Sequence, residues 1–226
     1  MTKVYDSISV NMPLLMENSS VQFSNAGKRF NRDWVFRHFT YSFQSAQSYA
    51  ITGPNGSGKS TLLQVLAGSI QVSEGNCQWK MEMASNQLCL AEEVYRYISI
   101  AAPYLEVIEE MTVKEFLTFH ATFKPFTPSL SIPEIIEIIG LGKAVHKQIR
   151  YYSSGMKQRV KLAQAIFSDV PVLLLDEPCT NLDVAGYVLY HRLIKEYCTN
   201  KLIIVSSNDE KEIDFCKERV NIMDYK

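Results

Sequence analysis

Along this chain the apolar positions gather into short unbroken runs: Ser48–Thr52 (SYAIT), Tyr97–Ile100 (YISI), Val170–Leu175 (VPVLLL) and Lys201–Val205 (KLIIV). A short run without polar alternation reads as a strand buried on both faces. The stretches between the runs are long enough for helices, which is the alternation of βαβ units around a parallel sheet. Val21–Phe23 and Phe36–Phe43 (FRHFTYSF) alternate instead, in the manner of half-buried antiparallel strands.

From about Tyr104 to Tyr152 the pattern changes. Thr112-Val113-Lys114-Glu115 is a capping box, and Phe116, Phe119 and Phe123 follow it at helical spacing. Pro125 and Pro128 end that helix. Ser131-Ile132-Pro133-Glu134 is a second box, opening IIEIIGLG, where Gly140 and Gly142 offer stops. The expectation is an all-helical insert within an α/β chain.

Composition narrows the function classes. A chain of 226 residues, 46% hydrophobic and 21% charged, fits one soluble domain with a buried core. A net charge of −1 leaves no basic footprint, so nucleic acid is not an expected partner, nor is direct electrostatic binding to a membrane surface. The cysteines Cys77, Cys89, Cys179, Cys198 and Cys216 show neither a CxxC pair nor metal-ligand spacing, and read as reduced thiols in a cytosolic compartment. Leu14-Leu15-Met16 is too short a greasy core for a signal peptide. No stretch approaches the roughly 18 apolar residues of a membrane span, so work at a membrane needs another chain to supply it.

The chemistry begins at Gly53-Pro54-Asn55-Gly56-Ser57-Gly58-Lys59-Ser60, which fits G-x-x-x-x-G-K-[ST] directly after SYAIT and directly before TLLQVLAG. Glycines let backbone amides turn inward around phosphate oxygens. Lys59 then reaches the β- and γ-phosphates, the Ser60 hydroxyl ligates Mg²⁺, and the helix aims the positive end of its dipole at the anion. At the end of VPVLLLDEP stand Asp176 and Glu177. Two carboxylates at the end of an apolar strand need a cation or a reacting group beside them. Asp176 fits as the Mg²⁺ partner and Glu177 as the base that polarises a water attacking the γ-phosphate.

Between these motifs lies Tyr152-Ser153-Ser154-Gly155-Met156-Lys157-Gln158-Arg159, ahead of a helix, and after Glu177 comes Pro178-Cys179-Thr180-Asn181-Leu182-Asp183. The four motifs in this order resemble the ATP-binding subunit of ABC transporters, from about Val21 onward. The resemblance implies a P-loop NTPase core with a small antiparallel β subdomain and an inserted helical subdomain. The core is then residues 1–103 and 153–226, the helical part about 104–152. It implies ATP and Mg²⁺ held by Gly53 through Thr61. It also implies that Ser153, Ser154, Gly155 and Asp183 face nucleotide bound by a second ATPase subunit, a copy of this chain or a different one, in a head-to-tail dimer. Ser153 and Gly155 sit where a helix begins, so a hydroxyl and an amide are available for phosphate; a plain N-cap at Ser153 is the other reading. The partner implied is a membrane-spanning transporter subunit, with this chain on the cytoplasmic face.

Departures from the family carry information. The usual LSGGQ is YSSGM here, and the glutamine that should follow YISI is absent from Ala101-Ala102-Pro103-Tyr104. The adenine-stacking aromatic falls near Phe30 in GKRFNRDW, with Trp34 and Phe36 as alternatives. Where the family ends a strand in a histidine that holds the γ-phosphate, LIIVSSND carries Asn208, which donates a hydrogen bond but no positive charge. A slowed ATPase follows. Alternatively Asn208 caps a helix starting DEKEID, with Ser207 and Glu210 as its box.

Overall fold

The computed structural model describes residues 19–81 and 88–226; the Leu14–Met16 run lies outside the described residues. Two sheets organise the chain. The first is antiparallel, built from β1 (Ser20–Phe30), β2 (Asp33–Gln44), β4 (Glu74–Lys80) and β5 (Leu88–Cys89) in the order β2-β1-β4-β5. The second is parallel, built from β6 (Ile98–Ala101), β7 (Val172–Asp176), β8 (Leu202–Ser206), β3 (Ser48–Thr52) and β9 (Glu218–Asn221) in that spatial order.

Each solid apolar run lands in the parallel sheet, within a residue or two of its expected limits. β7 and β8 are buried along their whole length. Their side chains alternate between two cores. Leu173, Leu175, Ile203 and Val205 face one core, and Val172, Leu174, Leu202 and Ile204 face the other. The first core is closed by α4 (Ser154–Ile166), α5 (Val184–Tyr197) and the helical segment that precedes them. The second is closed by α1 (Lys59–Leu66) and the antiparallel sheet, whose Phe23, Phe36, Phe39 and Phe43 pack edge to face. Phe36 and Phe39 point the same way although three positions apart, because His38 adopts φ +55° and resets the alternation.

Between β6 and α4 the chain forms α2 (Val113–Phe123), α3 (Ile132–Ile138) and short 3₁₀ turns. Both capping boxes form: Thr112 with Glu115, and Ser131 with Glu134. Gly140, at φ +73°, turns the chain out of α3. Of the three phenylalanines at helical spacing, only Phe116 enters the core. Phe119 is 44% exposed and Phe123 75% exposed, stacked edge to face on each other. Among the described residues no helix is long and apolar enough to cross a membrane.

Candidate functional site

β3 delivers the chain to residues 53–58 at the carboxyl end of the parallel sheet, where ligands bind in open α/β folds. The loop is shaped by backbone that only glycine tolerates. Gly58, at φ +102°, caps α1, and a Cβ there would collide with Val35 Cγ1 from β2. The Ser57 amide folds back onto Pro54 O at 3.1 Å. Lys226 Nζ donates to Ser57 O at 2.6 Å and to Val35 O at 2.7 Å, tying the loop to the antiparallel sheet.

Several groups in the loop point to an anion. Lys59, 6% exposed, donates its ammonium to Gly53 O at 2.7 Å and Pro54 O at 3.3 Å, both inside its own loop. Ser57 Oγ is buried without a hydrogen-bond partner among the described residues. The first amides of α1 lack intrahelical acceptors by the geometry of any helix. A phosphate fits that donor set and charge. Among the described residues no three His, Cys, Asp or Glu side chains cluster to hold a metal. Ser60, in the first turn of α1, and Asp176, at the end of β7, carry oxygen donors of the kind Mg²⁺ takes, usually with water filling much of its shell.

The cleft over the loop, about 310 Å³, is lined by residues 55–61 together with Phe30, Val35 and Glu177. Phe30 is 51% exposed there, with Lys28 Nζ 5.1 Å from its ring centroid. Of the alternatives, Phe36 is fully buried, and half-buried Trp34 has the guanidiniums of Arg29 and Arg37 at 5.5 and 4.5 Å from its ring centroid. Asp176 ends β7 at 3% exposure. Glu177 follows at φ +44°, a conformation costly for a residue with a side chain. Its turn is held from several sides. The Glu177 amide donates to Ser206 O at 2.9 Å, Gln158 Nε2 of α4 donates to Pro178 O at 2.7 Å, and the Cys179 amide donates to Glu212 Oε1 at 2.8 Å.

Asn208 is exposed, and its Oδ1 accepts the Gly53 amide at 3.0 Å. The capping reading needs correction. α6 (Glu210–Ile213) is capped by Asp209, whose side chain accepts from the Lys211 amide, while Ser207 Oγ accepts from the Asp209 amide. Asn208 is thereby free of the helix and spans to the phosphate loop.

Ser153 caps α4, accepting from the Met156 amide at 3.3 Å. With Ser154, Gly155, Asn181 and Asp183 it lines a second cavity of about 460 Å³ that shares no residue with the first. Asp183 caps α5 through Gly186 N at 2.8 Å and lies 3.7 Å from Arg159. After β6, where a glutamine was sought, stands Tyr104, 46% exposed. Burial pushes its hydroxyl above the ordinary phenol range and nearby Asp176 adds to this, while Gln64 opposes it. Sequence reasoning named Tyr104 and Gln158 only as motif positions and missed Glu212 and Lys226 altogether. Their contacts cross long sequence separations, and only the burial of a carboxylate at Glu212 is a signal a helical-face plot of α6 could have raised.

A phosphate loop at the end of a parallel strand, with Asp176 and Glu177 on the neighbouring strand but one, defines a P-loop NTPase fold of the ATP-binding-cassette type. The ABC transporter family model matches residues 36–180, more than half of the chain. The ABC transporter ATP-binding protein YxlF of Bacillus subtilis is 30% identical over 199 residues, covering 87% of this chain and 65% of YxlF. The cytochrome c biogenesis ATP-binding export protein CcmA of Rhizobium meliloti is 29% identical over 185 residues, covering 80% of this chain and 87% of CcmA. A solved ATP-binding subunit of an ABC transporter shares the fold at a TM-score of 0.75 and 21% identity, over 89% of this chain and 85% of that one. The chain thus spans just under two thirds of the length of YxlF. It belongs to the ABC transporter family.

Proposed function

We propose that this chain is the ATP-binding and ATP-hydrolysing subunit that powers transport through a separate membrane-spanning partner at the cytoplasmic face, by ATP-driven dimerisation. What supports this reading is that Lys59 with its loop and Ser153 with Gly155 line two separate cavities of one chain that share no residue. In this reading each is half of a nucleotide site that a second subunit completes. Lys59, the loop amides and Phe30 bind and orient the nucleotide, with Ser60 and Asp176 toward its cation. Mg²⁺ held there would supply positive charge against the phosphate oxygens. Glu177 takes up the proton of the attacking water. Exposed Phe119 and Phe123 give the helical segment an apolar face for the membrane partner.

Turnover is slow in this reading, because Asn208 brings a neutral amide to the position of a charged imidazole. A second reading is favoured by the same residue. Engaged with Gly53, Asn208 suits a nucleotide-gated module that clamps on ATP with negligible hydrolysis. Titration with ATP and Mg²⁺, followed by phosphate release, separates the two. Saturable binding and turnover, both removed by Lys59→Ala, support the first, and tight binding without release supports the second. No detectable complex with ATP defeats both. Glu177→Gln is expected to trap an ATP-bound dimer, visible by light scattering.

A further inference from the structure

We infer that Glu212 is a positioning residue for hydrolysis, gripping the turn that carries Glu177 through the Cys179 amide. Glu212 lies on α6 at 3% exposure. Oε1 accepts the Cys179 N–H at 2.8 Å, and Oε2 is buried with no hydrogen-bond partner among the described residues. Tyr190 Oη donates to Glu212 O at 3.0 Å and fixes the backbone beneath it. A leucine or methionine would fill this space without burying a half-satisfied carboxyl. What the carboxyl supplies is an acceptor for an amide two positions beyond Glu177.

That amide matters because Glu177 holds φ +44°, a backbone state that persists only where its surroundings over-determine it. Gln158 of α4 grips the turn at Pro178 O, and Glu212 of α6 grips it at the Cys179 amide. The groups facing Glu212 are Cys179, Asp209, Glu177 and Ser207. Burial raises its carboxyl above the ordinary range, and Asp209 and Glu177 add to this while Ser207 and the Cys179 amide oppose it. The Cys179 amide needs one oxygen acceptor, and a glutamine side-chain carbonyl in the same place supplies it. The segment 208–212 thus touches the phosphate loop through Asn208 and the base-bearing turn through Glu212.

The inference rests on reading Glu177 as the base, and the experiment separates the two. In the full chain, Glu212→Met is expected to lower kcat by about 10- to 100-fold, the scale of a small misplacement of a reacting group, with the ATP KM within about threefold. Glu212→Gln is expected to restore kcat to within about threefold of the parent. Hydrogen exchange of the Asp176–Asp183 segment should quicken in Glu212→Met and stay protected in Glu212→Gln. Unchanged kcat and exchange in Glu212→Met overturn the inference, as does a Gln variant as slow as the Met variant, or a matched fall in kcat, ATP binding and Tm in both. If Glu212→Met is too unstable to assay, exchange in Glu212→Gln decides: parent-like protection supports the acceptor role and lost protection overturns it. A Glu177→Gln chain that hydrolyses normally sinks the base reading alone, since the exchange arm needs no turnover.

Discussion

Asn208 offers the sharpest quantitative test, because its one observed bond, Oδ1 to the Gly53 amide at 3.0 Å, sits at the start of the phosphate loop. Asn208→Ala removes a neutral hydrogen bond worth about 0.5–1.5 kcal/mol. That bond is solvent-exposed, so the low half of that range, about 0.5–1 kcal/mol, applies, and ATP affinity should weaken by about 2- to 5-fold. Asn208→His exchanges the neutral bond for a charge-assisted one, worth about 1.5–3 kcal/mol if it forms with the γ-phosphate. The difference of about 1–1.5 kcal/mol corresponds to a 5- to 13-fold rise in kcat. Steady-state phosphate release across pH 5.5–8.5 reads both effects, because an imidazole adds a titration near its ordinary value of about 6.5 that the parent lacks. If Asn208→His changes neither kcat nor the pH profile, the reasoning that places position 208 beside the transferred phosphoryl group fails.

Two further outcomes follow from the packing. Gly58→Ala forces φ +102° on a side-chain residue and drives its Cβ into Val35, so Tm should fall by about 4–12 °C and ATP binding should be lost; Val35→Ala in the same chain should recover part of the Tm, and no recovery would refute the collision. His120 stacks on Phe126 and bonds Ser168 Oγ at 3.0 Å, and burial first, then Lys124, depresses its pKa from 6.5 to about 4. The folded chain binds fewer protons than the unfolded chain between those values, so stability is lost as pH falls from 6.5 toward 4. The full shift is worth about 3 kcal/mol, and about 1–2 after discounting for partial exposure. Urea unfolding at pH 7 and pH 4.5 should show that extra acid loss in the parent and not in His120→Gln; equal losses would refute it.

The sequence made the interior legible and the margins less so. SYAIT, VPVLLL and KLIIV read as strands buried on both faces from their shortness and unbroken apolar character, and they are β3, β7 and β8. β4 (EGNCQWK) and β9 (ERVN) escaped notice because they are mostly polar and half exposed, so neither periodicity nor composition marks them. In the candidate site, groupings that are local in sequence were readable: the glycines and Lys59 share one loop, and Asp176 and Glu177 share one strand end. Residues whose role is to meet a distant segment were not. Nothing in DEKEID says that Glu212 will accept from Cys179, or that Asn208 will span to Gly53, because register between strands is set by the whole sheet.

One feature of α4 reaches further than its place in the core. Ser153 opens this helix and Gln158, little more than one turn along, holds Pro178 beside Glu177. In the proposed dimer, a neighbouring molecule seated on Ser153 would press on the same first turns of helix whose Gln158 holds Pro178, so contact at that exposed end and the backbone just after Glu177 share one short path.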